Sequence, residues 1–165
     1  MLRPQFTLRA LLVTILVVGG AIGLYASPLL ARSRAIRDLE ALGASITYDY
    51  QWGHDGAWRP KARAPGAAWL KRLLGENYCA SPLEVQLFAD TKMAPHRFTD
   101  EDAGRVAALA ELKWLVLMDT QLTDGGLRRL ARLSKLEGLD LEGSRVTEAG
   151  VQEFERSMPN VRVLH

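Results

Sequence analysis

The chain has 165 residues, with 21 Lys or Arg against 19 Asp or Glu, a net charge of +2, one cysteine and 7% aromatic residues. Setting aside Arg3 and Arg9 leaves 19 basic and 19 acidic residues, so no basic stripe suited to nucleic acid is expected. A lone cysteine closes no internal disulfide; Cys79 is expected as a buried structural thiol, with a partner-linked or reactive thiol as the alternative.

Residues 1–9 read as a short leader. The following stretch, "ALLVTILVVGGAIGLYA" (10–26), carries no charge and extends through "SPLLA" to residue 31. That length suits a hydrocarbon core of roughly 30 Å, so 10–31 is expected to be a single-pass transmembrane helix or signal anchor. A cleaved signal peptide is the rival, but bulky residues occupy the positions where a cleavage site needs small ones. The short lead-in favours a cytoplasmic amino terminus and an exported remainder. Gly19, Gly23 and Ser27 stand four apart, a spacing that lets two membrane helices approach and form a weak homodimer.

Residues 32–82 read as amino-terminal capping units. Ile36, Leu39 and Leu42 share one helical side in "RAIRDLEALG" (34–43), and Gly43 is a natural stop. "SITYDY" (45–50) alternates like a strand. The Gly/Pro-rich "QWGHDGAWRPKARAPG" (51–66) reads as a long loop, and "AAWLKRLLG" (67–75) as a short helix.

From residue 83 onward the chain repeats itself. "LKWLVLMDTQLTDGGL" (112–127) and "LEGLDLEGSRVTEAGV" (136–151) align position by position at a 24-residue period. Leu112, Leu115 and Leu117 match Leu136, Leu139 and Leu141; Thr123-Asp124 matches Thr147-Glu148; Gly126 matches Gly150. A degenerate earlier copy supplies "LEVQLF" (83–88) and "FTDEDAGRVAAL" (98–109), six residues further apart, so "DTKMAPHR" (90–97) is expected to bulge. Repeats are therefore placed at 83–111, 112–135 and 136–158, with "PNVRVLH" as a final strand or cap. Such a pattern is a leucine-rich repeat. In each copy the leucines alternate as in a strand with one buried face. Thr99, Thr123 and Thr147 suit helix N-caps, and Asp100, Asp124 and Glu148 suit the positive end of the helix. The expected fold is α/β: a short right-handed leucine-rich-repeat solenoid with parallel strands inside, helices outside and one transmembrane helix before it.

Taken together, the leader "RPQFTLRALLV", "ALGASITYDY", "PGAAWLKRLLGENY", "TQLTDGGL" and "SRVTEAGV" resemble the short membrane-anchored leucine-rich-repeat proteins of planctomycete bacteria, over almost the whole chain. The Thr-Asp repeat is also similar to the variant found in F-box proteins, though no F-box is present. The resemblance implies an exported horseshoe with a protein-binding role and supplies no catalytic residues.

Between the inward leucines, alternation turns Trp114, Val116, Met118, Asp140 and Glu142 onto the concave strand face, with Glu84, Gln86 and Phe88 beside them. Phe88, Trp114, Val116, Met118, Asp140 and Glu142 are the expected partner-binding residues, since contiguous exposed aromatic and Met side chains suit protein contact. The alternative is that the 51–66 loop covers them. No cofactor and no metal site are expected: His54, His96 and His165 share no ligand spacing with one another or with Cys79. Nor is there a nucleophile elbow or phosphate loop. The expected function is a membrane-anchored protein-recognition or scaffold module without catalysis. The alternative is a small exported enzyme, or enzyme-regulating subunit, that uses the His54-Asp55 loop.

Overall fold

The computed structural model describes residues 8–53, 57–75, 77–87 and 98–165. Along these run α1 (Leu8–Ala41), β1 (Ser45–Tyr48), a 3-10 turn (Asp49–Gln51), α2 (Ala68–Leu74), β2 (Pro82–Leu87), α3 (Asp100–Val106), β3 (Trp114–Leu117), α4 (Asp124–Leu130), β4 (Gly138–Asp140), α5 (Glu148–Ser157) and β5 (Arg162–Leu164). The strands form one sheet in sequence order.

The 24-residue period becomes a register. Leu115 pairs with Leu139, and Leu139 with Val163, each partner lying 24 positions on. Val85 pairs with Leu115, a step six residues longer. Strand leucines and helix residues close on a single core that includes Leu115, Leu117, Leu139, Leu141, Leu127, Leu130, Val151 and Phe154. Burying each such side chain contributes roughly 1.5–3 kcal/mol, which is what joins neighbouring copies.

Carboxylates stitch the helix starts together. Asp100 accepts the N–H (2.9 Å) and hydroxyl (2.6 Å) of Thr123, and Asp124 accepts the N–H and hydroxyl of Thr147, both at 2.8 Å. Thr99 takes the equivalent bonds from its own helix, where Asp102 accepts its N–H at 2.9 Å and its hydroxyl at 3.0 Å. On the opposite side, Lys113 pairs with Glu137 and Lys135 with Glu111, both at 2.6 Å and both across one period. These pairs are about half-exposed and worth roughly 0–1 kcal/mol each, so they trim the register more than they hold it.

At the amino-terminal end α1 closes in a Schellman motif. The Ala44 N–H reaches the Leu39 carbonyl (2.9 Å) and the Gly43 N–H that of Glu40 (3.0 Å), while Gly43 adopts φ +87°. That positive φ suits glycine, which has no Cβ to clash. The chain then turns directly into β1, which lies antiparallel to β2.

Several expectations are corrected here. The all-parallel solenoid behind a membrane helix is not what forms: β1 makes the sheet mixed, because the tight exit from α1 reverses the chain against β2. Among the described residues, no helix is long and apolar enough to cross a membrane. Residues 10–31 are not a separate element but part of α1, which continues past Pro28 through Arg32, Arg34 and Arg37 and buries Ala35, Ile36 and Leu39 in the core. The single-pass membrane location, with a cytoplasmic amino terminus and exported repeats, loses its basis with that helix. So does the packing of Gly19, Gly23 and Ser27 within a bilayer. Ser27 is exposed on α1, and the surroundings of Gly19 and Gly23 lie outside the described residues. Cys79 is exposed rather than buried, since it sits in the turn between α2 and β2. Within the 51–66 segment, Trp52 and Trp58 face each other across an isolated antiparallel bridge with ring centroids 5.5 Å apart.

Candidate sheet-face binding site

Strand alternation and register together define the face turned away from the leucines. One row across the sheet reads Thr47, Glu84, Trp114, Gly138, Arg162; the next reads Ser45, Gln86, Val116, Asp140, Leu164. Glu84 and Gln86 satisfy one another through a side-chain hydrogen bond on their own strand.

Trp114 organises the centre. Its indole packs against Gly138, so closely that a Cβ at that position would overlap the ring. The glycine is buried beneath it, while Trp114 itself stays 44% exposed. Beside the indole opens a groove of about 180 Å³ walled by Trp114, Val116, Asp140, Arg162 and Leu164. Its lining is apolar along Trp114, Val116 and Leu164 and carries one charge of each sign. Asp140 is steadied by the backbone N–H of Glu142, which donates to its Oδ1 at 3.1 Å.

Of the residues expected on this face, Trp114, Val116 and Asp140 meet at the groove. Met118 and Glu142 lie just beyond the ends of β3 and β4 and do not line it. There the chain turns through two left-handed positions one period apart, Asp119 (φ +54°) and Gly143 (φ +72°). Asp119 also donates its N–H to the Glu142 carbonyl at 2.7 Å. Phe88 lies outside the described residues, as do His54, Asp55, His96 and the expected bulge at 90–97. Arg162 and Leu164 were not expected on the face, although they stand 24 residues after Gly138 and Asp140. Carrying the period one copy further would have found both.

No described residue of the 51–66 segment lines this groove; Trp52 and Trp58 pack on each other and are each 47% exposed. Among the described residues no group of three His, Cys, Asp or Glu side chains is placed to hold a metal ion. No family model, curated protein or solved structure matches this chain.

Proposed function

We propose that the chain is a protein-recognition module without catalysis, built on its 24-residue repeat, whose ligand docks on the sheet face around Trp114. One observation carries this reading: a large, rigid indole stands half-exposed beside a shallow groove with mixed charge at its rim. Trp is the side chain whose desolvation most often dominates a protein interface. At about 180 Å³ the groove falls below the roughly 300–1,000 Å³ usual for pockets that engulf small molecules. It is better suited to one or two side chains of a docking protein. Asp140 and Arg162 then orient the partner and make association salt-sensitive, contributing more to specificity than to affinity.

The test is a paired capture experiment. Immobilised full-length chain and its Trp114→Ala variant are incubated with extract of the cells the protein comes from, and captured proteins are compared. A protein retained by the first and lost from the second supports the reading, provided both chains melt alike. Identical captured sets from two folded chains would remove Trp114 from recognition.

A further inference from the structure

Charge is divided along the chain. Residues 1–75 carry a net +6 and residues 76–165 a net −4, which together make the overall +2. The positive share is densest in 56–75, where Arg59, Lys61, Arg63, Lys71 and Arg72 stand with no acid among them. Arg63 and the α2 residues Ala68, Lys71 and Arg72 wall an open depression of about 500 Å³. Lys71 ties its two sides together by donating from Nζ to the Ala64 carbonyl at 2.6 Å. On the same helix Trp69 and Leu73, one turn apart, are 67% and 74% exposed. An apolar stripe turned outward beside a group of cations has the make-up of a contact surface.

The negative share has its own focus, at the strand ends beside the Trp114 groove. Asp140 lines that groove and Glu142 follows two residues on. Asp119, at the end of the neighbouring strand, donates its backbone N–H to the Glu142 carbonyl at 2.7 Å. Among the described residues none of Arg63, Arg72, Asp119, Asp140 and Glu142 enters an ion pair. Like charges gathered in one place repel, and each cluster is relieved by the sign of the other. The apolar parts match as well. The groove between Trp114 and Leu164 takes one or two side chains, and Leu73 beside Arg72 offers one. The groove and the cationic depression share no wall, so the match is one between two copies.

We propose that the partner docked at the Trp114 groove is a second copy of this chain, presenting its 59–72 stretch and the Trp69–Leu73 stripe of α2. This rests on the reading of the groove as a recognition surface. Leu73 enters between Trp114 and Leu164, while Arg63 and Arg72 face Asp140, Glu142 and Asp119. Exposed charge pairs of this kind fix orientation and speed encounter more than they add affinity, so the association is weak and salt-sensitive.

The experiment is sedimentation velocity of the full-length chain over a range of concentrations, in about 0.01 M and about 1 M sodium chloride, where the screening length is roughly 30 Å and 3 Å. Reversible association in low salt that dissolves in high salt is expected. Two charge swaps locate it: Arg63→Glu with Arg72→Glu on one surface, and Asp140→Lys with Glu142→Lys on the other. Each swapped protein, shown to be folded by its melt, should associate about tenfold or more weakly than the parent. An equimolar mixture of the two should recover the parent's association. Should the Asp140→Lys, Glu142→Lys protein fail to fold, Glu142→Lys alone takes its place, with a smaller loss and a partial recovery. A parent that stays monomeric in low salt overturns the proposal and leaves the Trp114 reading to the capture experiment, which scores other proteins. Association that persists in high salt belongs to exposed apolar side chains such as Leu16 of α1, and overturns the proposal too. So does association that neither swap weakens, or that the mixture does not restore.

Discussion

Asp100 and Thr123 sit at the starts of successive helices, 23 residues apart, yet one carboxylate satisfies both the backbone and the hydroxyl of the threonine. The relationship recurs between Asp124 and Thr147. Each acidic residue thus serves the next helix as well as its own, acting as a cap delivered from the preceding copy. Asp100→Ala should cost on the order of 1 kcal/mol, since charge-assisted hydrogen bonds exceed that and solvent exposure discounts them. Chemical denaturation of the two proteins measures the difference directly. A change indistinguishable from zero would mean that the bonds are no stronger than those water offers Thr123.

Acid should dissolve this ladder. Desolvation raises the Asp100 pKa, but the Thr123 hydroxyl and N–H, the Gly126 N–H and Arg129 outweigh it, so the carboxyl lies below its ordinary value of 3.8. Asp124 is also lowered, chiefly by the Thr147 N–H and hydroxyl. A depressed folded-state value gives stability that is complete above the unfolded pKa and lost as pH falls through the folded one. Melting temperature should therefore drop as pH falls below about 4, and an Asp100→Asn, Asp124→Asn double variant should show a shallower drop. Parallel acid profiles for the two proteins would place the sensitive groups elsewhere.

Glycine sits at the third helical position of the later copies for a reason of space. A Cβ at Gly126 would run into Leu122 and Asp100, and one at Gly150 into Asp124. In the first copy the same position is Asp102, whose own side chain fills the role. Gly→Ala inside a helix ordinarily stabilises by about 1 kcal/mol. Gly150→Ala should instead destabilise, and adding Asp124→Gly should recover part of the loss. A double-mutant cycle with no coupling would show that the two residues do not compete for the space.

Much of this was legible in the sequence because the period is short and the pattern strict. Leu115, Leu117, Leu139 and Leu141 could be assigned to the core from alternation alone, and the threonines to helix starts from the Thr-Asp or Thr-Glu pair that follows Phe98, Leu122 and Val146. Strand direction could not be read that way: alternation in "SITYDY" is the same whether β1 runs parallel or antiparallel to its neighbour. The 10–31 stretch misled because hydropathy describes a window and does not show where a helix ends; α1 runs on for ten more residues, to Ala41.

The core assignment has a direct test. Leu141, one residue past β4, is 1% exposed and packed among the leucines of its neighbours. Leu141→Asp would bury an unpaired carboxylate at a cost of several kcal/mol, a large part of the roughly 5–15 kcal/mol that holds a domain folded. Loss of the cooperative melt at neutral pH is expected. An unchanged melt would remove Leu141 from the core and with it the register of β4.

The sheet face should separate binding from stability. Trp114 and Leu164 flank the same groove, are both about half-exposed, and belong to strands two apart in the sheet. Replacing exposed side chains away from the core usually changes stability by less than about 0.5 kcal/mol. A Trp114→Ala, Leu164→Ala variant should therefore melt nearly as the parent does while losing the partner. Gly138 offers the complementary test. Gly138→Val adds a side chain where the indole now rests, so it should lift the ring into solvent and shift Trp114 fluorescence to the red, read against a Trp114→Phe blank. Valine also suits a strand better than glycine does, so the domain should stay folded. If the recognition surface depends on the indole resting against Gly138, Gly138→Val should weaken partner binding about as much as Trp114→Ala does. Full binding by a folded Gly138→Val protein with a displaced indole would show that Trp114 is a bystander, and the exposed Trp52–Trp58 pair would be the next surface to test.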